Sequence, residues 1–361
     1  MYDYLVVGSG LFGSVFSQQM KEKGKDVLVV EKRPHIGGNC YTENINDIYI
    51  HKYGPHIFHT NIDEVWDYVN RFTGFNNYQH TAKVLHKGKI FSFPINLMTL
   101  YQIWGVKTPE EAKVKIESQI VPNSHPKNIE EWCLSKIGKE LYEIFVRDYT
   151  FKQWGKHPKD LPSSIISRIP IRYNYNDNYY HTAKYQGIPL NGYTKMIENM
   201  LDRVKVEVGV DFESIKNNWR KYAKKLVYTG PIDAFYNYEF GELEYRSLKW
   251  ENHHSTGDIQ GCAALHHTDL YKPYTRSIEH KHFNPEIQTN YTIVSHEYPV
   301  DWKETKDPYY PINDEKNNNL FHKYQNIQEK DVIISGRLGI YKYLDMDTTI
   351  SLALKTAKNE T

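Results

Sequence analysis

Three glycines in Gly8-Ser9-Gly10-Leu11-Phe12-Gly13 and an acid at Glu31 are the first residues of this chain whose types and spacing suggest chemistry. Glycine in those places permits a tight turn, close approach of backbone to a pyrophosphate, and packing of a helix on a strand. A carboxylate at the end of the next strand accepts hydrogen bonds from an adenosine ribose. The chemistry predicted is dinucleotide binding. His56 and His59 could suggest a metal, but no carboxylate or thiolate stands at ligand spacing, so none is expected. Cys40, Cys133 and Cys262 lie far apart without a CxxC, which argues against a disulfide framework, a zinc knuckle or a redox dithiol. The 30 tyrosines outnumber the 14 phenylalanines. A flat face with a hydroxyl suits clefts for sugars and bases, and a tyrosine-rich core fits the same count.

The elements around the glycines have the order that such a site needs. An apolar strand, Tyr4-Leu5-Val6-Val7, runs into the turn, a helical stretch follows to about Lys23, and a second strand from Asp26 to Val30 delivers Glu31. The helix N-terminus then offers N–H donors and positive dipole to a phosphate. Next comes Lys32-Arg33-Pro34-His35-Ile36-Gly37-Gly38-Asn39, whose glycine pair resembles the extended FAD signature of glutathione-reductase-like and amine-oxidase-like flavoproteins. A plain turn is the alternative for that pair.

Further on, Ile48 to His51 is predicted as a strand, Asn61 to Val69 as a helix, and Tyr78 to Phe93 as a hairpin turning at His86-Lys87-Gly88-Lys89. Thr108-Pro109-Glu110-Glu111 and Asn128-Ile129-Glu130-Glu131 are helix starts, with a capping side chain followed by acids that suit the dipole. The stretch from Asn96 to about Tyr149 therefore reads as a helical insertion, ended by Leu161-Pro162. Ile166 to Tyr180 reads as a mobile loop. Nucleotide-domain patterning returns with a helix from Gly192 to Leu201 and strands near Val204 to Val210 and Lys225 to Thr229. A mostly β run covers Tyr245 to Tyr298. Val332-Ile333-Ile334-Ser335-Gly336-Arg337 then feeds a closing helix from about Asp347 to Ala357. A formal net charge of +1 gives no reason to expect nucleic acid or an anionic membrane as partner. With no apolar run long enough to span a bilayer, a cytoplasmic protein is expected.

Several separated motifs together resemble the UDP-galactopyranose mutase family over nearly the whole chain. They are the glycine turn; His51-Lys52-Tyr53-Gly54 with His56 and His59; Lys152-Gln153-Trp154-Gly155; and Tyr185-Gln186-Gly187-Ile188-Pro189. To these are added Val227-Tyr228-Thr229-Gly230-Pro231, Pro273-Tyr274-Thr275-Arg276, Glu279-His280-Lys281-His282-Phe283, Pro308-Tyr309-Tyr310-Pro311 and Tyr341-Lys342-Tyr343. The resemblance implies an α/β plus α architecture: a discontinuous Rossmann-like FAD-binding domain (1–76, 186–240, 312–361), an inserted helical domain (96–165) that builds a homodimer, and an antiparallel β-sheet domain with the mobile loop (77–95, 166–185, 241–311). It implies pyranose-to-furanose isomerisation of a nucleotide sugar without net redox change. The route implied is an adduct on N5 of reduced FAD, and the product would supply furanose for cell-surface polysaccharide.

By the same resemblance Arg168 and Arg276 flank the diphosphate, which suits guanidinium groups that stay charged and bind phosphate oxygens in pairs, and His59 sits by the flavin. FAD is implied to lie on Gly8, Gly10, Phe12, Gly13, Glu31, Lys32, Gly38, Asn39, His56, Ile57, Arg337, Asp345 and Met346. Substrate is implied at His80, Phe145, Tyr149, Thr150, Trp154, Tyr179, His266, Tyr310 and Tyr343. Two departures concern the sugar: His266 stands where most members carry asparagine, and Pro55 replaces a small alanine before His56. Imidazole is larger than an amide and offers one donor and one acceptor when neutral, so hydroxyl recognition could differ. UDP-galactopyranose is the leading substrate; a pentose, 6-deoxy sugar or heptose nucleotide is the alternative within the same chemistry. An amine-oxidase-like oxidase or dehydrogenase and a catalytically silent flavin-binding protein are the alternatives outside it.

Overall fold

The computed structural model describes residues 1–163, 171–305, 307–327 and 329–360. Two compact units are built from alternating stretches of chain: residues 1–77, 183–247 and 301–361 in the first, 78–182 and 248–300 in the second.

The first unit holds a five-stranded parallel sheet in the order Val332–Ile334, Ala223–Tyr228, Tyr2–Val7, Val27–Glu31, Lys205–Val208. A strand buried on both faces needs continuous apolar sequence, and Leu5, Val6, Leu28, Val29, Leu226 and Val227 are all at most 4% exposed. Helix Leu11–Glu22 packs with Gly192–Met200 and the closing helix Met346–Asn359. Phe16, Met20, Tyr193, Ile197, Ile350 and Ala353 join one core cluster there, and each large side chain so buried contributes roughly 1.5–3 kcal/mol. The opposite face is covered by Phe212, Trp219 and Phe235. The expected discontinuous Rossmann-like domain is present, since the sheet takes strands from all three segments. Helix Glu315–Gln325, for which the sequence reading gave no prediction, also belongs to this unit.

In the second unit a ladder runs Lys89–Phe93, Ala82–His86, Ala264–His267, Arg276–Glu279, Tyr291–Asp301. All pairs are antiparallel except Ala264–His267 beside Ala82–His86. Helices Leu97–Trp104, Pro109–Glu117, Ile129–Lys136 and Asp148–Trp154 lie in the inserted stretch. Both predicted caps form: the Thr108 hydroxyl accepts from Glu111 N–H at 3.2 Å, and the Asn128 side chain from Glu131 N–H at 2.9 Å. Their shared core includes Leu100, Ile116, Ile129, Cys133, Leu141 and Phe145. A π-helical turn, Glu143–Arg147, leads directly into Asp148–Trp154.

Candidate active site

On the first unit the glycine turn is built by close approach. A Cβ at Gly13 would stand 2.0 Å from the Gly8 carbonyl oxygen, and one at Gly8, where φ is +97°, would meet the Thr229 hydroxyl at 2.2 Å. Gly10 begins helix Leu11–Glu22 with no side-chain cap, so its first N–H groups suit an anion. The second glycine pair closes on this turn: Gly37 N–H donates to the Ser9 carbonyl at 3.0 Å, and a Cβ on Gly38 would lie 2.9 Å from Gly10 Cα. That contact favours the cradle over a plain turn. Glu31, 5% exposed, accepts from Ser9 N–H and hydroxyl, both at 2.9 Å, and from Arg33 N–H at 3.0 Å.

Around the turn, Arg33 spans Asn39 (3.1 Å) and Asp307 (3.0 Å) and lies 4.1 Å over the Tyr53 ring. Lys32 also faces Asp307, at 3.6 Å. Gly336, next to Arg337, packs on Phe12 and Thr229. Arg337 donates to the Tyr309 carbonyl at 2.8 Å and lies 4.8 Å over the Tyr343 ring, which in turn faces Tyr310 at 5.7 Å. Asp345 caps the closing helix by position, at the start of Met346–Asn359, without a side-chain hydrogen bond. His56 Nδ1 donates to the Gly54 carbonyl at 2.7 Å and His59 Nδ1 to that of Ile57 at 3.1 Å. A carbonyl only accepts, which fixes the proton on Nδ1 in each. Phe12 and Ile57 are buried in packing, 3% and 5% exposed, so they could serve a ligand through backbone rather than side chain. FAD fits this cradle: glycines where a side chain would fill the space, an uncapped helix start, an acid after the second strand, and a cation in Arg337.

The second unit gathers most of the substrate candidates on one sheet face. His266 is paired across the ladder with Arg276, and Arg276 with Glu297. Arg276 Nε donates to both Glu297 oxygens, at 2.9 and 3.0 Å, and Nη2 adds a further bond to the same carboxylate. The His266 ring lies 5.7 Å from Tyr149 and 5.3 Å from Phe93. Phe93 links to Phe145 at 6.1 Å and Tyr179 at 6.2 Å, and Tyr179 to His80 at 5.5 Å. Burial, then Arg276 and His80, push His266 well below the ordinary imidazole range, so it is neutral at physiological pH. Thr150 is buried, and Trp154, partly buried, packs against the helical core. Arg168 lies outside the described residues.

Phe93 and Glu297 belong to the cluster but were not among the residues singled out from sequence. The alternation Lys89, Phe91, Phe93 put a ring on this face, whereas nothing marks a lone glutamate in a strand. Arg172 was missed too. Its guanidinium takes the Asn176, Asn178 and Tyr179 carbonyls at 3.1, 2.6 and 3.1 Å, so residues 172–179 wrap around it and aim Tyr179. Away from the cluster, Asp258, Glu279 and His282 bring three ligand atoms within 4.8 Å of one another. Glu279 already accepts from the Ile259 and Gln260 N–H groups and the Thr292 hydroxyl.

A UDP-galactopyranose mutase family model matches residues 144–343, and a Rossmann-like NAD(P)-binding model matches residues 6–72. A Klebsiella pneumoniae protein named "probable UDP-galactopyranose mutase" is 42% identical over 98% of this chain and 93% of its own. The chain belongs to the UDP-galactopyranose mutase family. It is an isomerase of that family's pyranose–furanose mutase type. The dTDP-fucopyranose mutase of Escherichia coli is 37% identical, covering 99% of this chain and 98% of that one. The UDP-galactopyranose mutase of Mycoplasma pneumoniae is 31% identical, covering 99% and 96%. A crystal structure of reduced UDP-galactopyranose mutase shares the mutase fold at TM-score 0.74 and 13% identity, covering 99% of this chain and 93% of that one. No helix among the described residues is long and apolar enough to cross a membrane.

Proposed function

We propose that this protein interconverts the pyranose and furanose forms of UDP-galactose, with FAD as resident cofactor. The observation that carries the reading is Arg276, a guanidinium aimed by a bidentate carboxylate and paired across the ladder with His266, which the Phe93 and Tyr149 rings face. A fixed cation among flat rings suits a nucleoside diphosphate, which offers paired oxygens and a base to stack. Reduced FAD supplies a nucleophilic nitrogen for the anomeric carbon.

The chain's own residues then bind, orient and compensate charge. Arg276, with Arg168 as its expected partner, meets the negative charge that grows as the diphosphate leaves. Arg337 and the uncapped helix start at Gly10 hold the cofactor pyrophosphate, and Glu31 its ribose. His59 would stand by the flavin. Tyr149 supplies a ring face to the nucleoside, Phe145 backs the cluster from the helical core, and Tyr179, Tyr310 and Tyr343 supply hydroxyls to diphosphate and sugar.

A second reading keeps the chemistry and changes the sugar to dTDP-fucopyranose, a 6-deoxy substrate. It is favoured by the full-length similarity to the E. coli enzyme and by the neutral imidazole of His266, which faces the Phe93 and Tyr149 rings. The test is anaerobic turnover of UDP-galactopyranose, UDP-galactofuranose and dTDP-fucopyranose, with and without dithionite, resolved by chromatography. Interconversion of the galactose pair in the reduced sample alone is the expected result. Conversion of the fucose nucleotide alone would move the assignment to the second reading. Sugar oxidation with stoichiometric flavin reduction would overturn both.

A further inference from the structure

One half-buried cation in the second unit has no part in the proposed chemistry. Lys152 sits on helix Asp148–Trp154, and its ammonium donates to four backbone carbonyls: His267 at 2.6 Å, Tyr274 at 2.9 Å, Asp269 at 3.0 Å and Lys272 at 3.1 Å. The first is the last residue of strand Ala264–His267, and the other three belong to the loop that joins it to strand Arg276–Glu279. Three N–H groups therefore serve four acceptors, an arrangement that a cation satisfies and an apolar side chain would leave without this partner.

The other side of the loop is fixed to the neighbouring hairpin. The Thr268 hydroxyl meets His86 Nδ1 at 2.9 Å, and Asp269 accepts from Lys87 N–H at 2.8 Å. Lys152 supplies the tie to the helix. One turn before it, on the same helix face, stands Tyr149, whose ring faces His266. The strands that flank the loop end in register at His266 and Arg276, the last registered pair of the ladder. We infer that Lys152 is a positioning residue for the mutase reaction: by gathering the 267–274 carbonyls it sets the spacing between Tyr149 on the helix and His266 and Arg276 on the strands. This rests on the reading that those three side chains face the nucleotide sugar. Ring and guanidinium placement is sensitive at this scale, since a displacement of about 1 Å can cost up to about a hundredfold in rate.

The experiment compares FAD-loaded wild type with Lys152→Met and Lys152→Arg, using UDP as probe in calorimetric titration alongside anaerobic turnover. Each dissociation constant is referred to bound flavin, so that a smaller folded fraction does not enter it. Lys152→Met is expected to keep the wild-type flavin spectrum and stoichiometry while the UDP dissociation constant rises about tenfold and kcat falls. UDP binding and kcat/KM both unchanged in that variant would overturn the inference. Should Lys152→Met not fold, Lys152→Arg decides. Its charge still serves the carbonyls, but its longer planar head moves the helix face, so an altered UDP affinity at full flavin content supports the inference and an unaltered one overturns it. If the wild type binds UDP but these variants match it, only Lys152 is misassigned; if the wild type binds no nucleoside diphosphate, the functional reading fails and this inference falls with it.

Discussion

Arg276 is held by a carboxylate that is 1% exposed and that also accepts from the Thr275 hydroxyl at 2.7 Å. Glu297 therefore aims the guanidinium and also offsets part of its charge, two effects with opposite consequences for an anionic substrate. Aim should win, because a guanidinium without its fork partner samples rotamers that miss the diphosphate. Glu297→Gln is expected to lower kcat/KM about tenfold with FAD content unchanged; a rise in steady-state kcat/KM would mean that the carboxylate only dampens charge. His266 raises a different question, since its imidazole is held neutral among rings. His266→Asn substitutes a smaller side chain with a two-fold donor and acceptor. The ratio of kcat/KM for UDP-galactopyranose over dTDP-fucopyranose should rise about tenfold, measured by competition in the reduced enzyme; an unchanged ratio would remove His266 from sugar selection. Arg276 was legible in the sequence because it lies inside a motif, Pro273-Tyr274-Thr275-Arg276, whose neighbours announced it. Glu297 was not, because its role comes from cross-strand register, which a linear pattern does not carry.

Helix starts, glycine turns and alternating strands were legible because each has a local physical cause. Thr108, Asn128 and the glycine turn are of this kind: a short side chain caps N–H groups, or a missing side chain lets backbone approach. Helix Glu315–Gln325 was hidden because its sequence is mostly polar, with Leu320, Phe321 and Tyr324 as its apolar contacts, although Asp314 caps it by accepting from Asn317 N–H at 2.8 Å. Residues 172–179 were read as loop from their Tyr and Asn content, and that composition gives no sign that Arg172 gathers their carbonyls. The glycine turn also yields a graded prediction. Gly13→Ala puts a methyl against backbone that has no rotamer to yield, at 2.0 Å from the Gly8 oxygen, whereas a methyl at Gly10 has Gly38 Cα as its nearest neighbour, at 3.9 Å. Gly13→Ala should therefore purify without the yellow flavin spectrum, through loss of the turn itself. Gly10→Ala should keep its circular dichroism and thermal midpoint, and lose flavin affinity only through crowding of the pyrophosphate. Equal loss of fold in both would defeat the close-approach argument.

At the scale of the whole molecule the sequence showed 17 histidines but not how many would be kept neutral by burial. In the second unit, His280 is 1% exposed and donates from Nε2 to Ser295, whose hydroxyl is committed to Asn252 at 2.7 Å. His267 is 5% exposed and donates from Nε2 to Ser277, whose hydroxyl is committed to Gln260 at 2.7 Å. Burial lowers His280 from 6.5 to about 3, and burial with Lys152 and Lys272 nearby lowers His267 from 6.5 to about 4. Below 6.5 the unfolded chain therefore binds protons that the folded unit refuses, so stability is complete above that pH and is lost as pH falls toward 4. Between pH 6.5 and 5 each such imidazole costs roughly 2 kcal/mol. Glu279, held down to about 2 by hydrogen bonds from His282, Thr292 and the 259–260 backbone, adds its own loss only below its ordinary 4.5, so the pH 6.5 to 5 window isolates the histidines. Urea midpoints at pH 7 and pH 5 should differ markedly in the wild type. In His280→Asn the midpoint should be lower at pH 7, where a well-packed ring is lost, and should fall less on going to pH 5, because one proton acceptor of the unfolded chain is gone. A pH 7 to 5 drop equal to that of the wild type would show that His280 accepts its proton in the folded state and that its burial is not what makes the unit acid-sensitive.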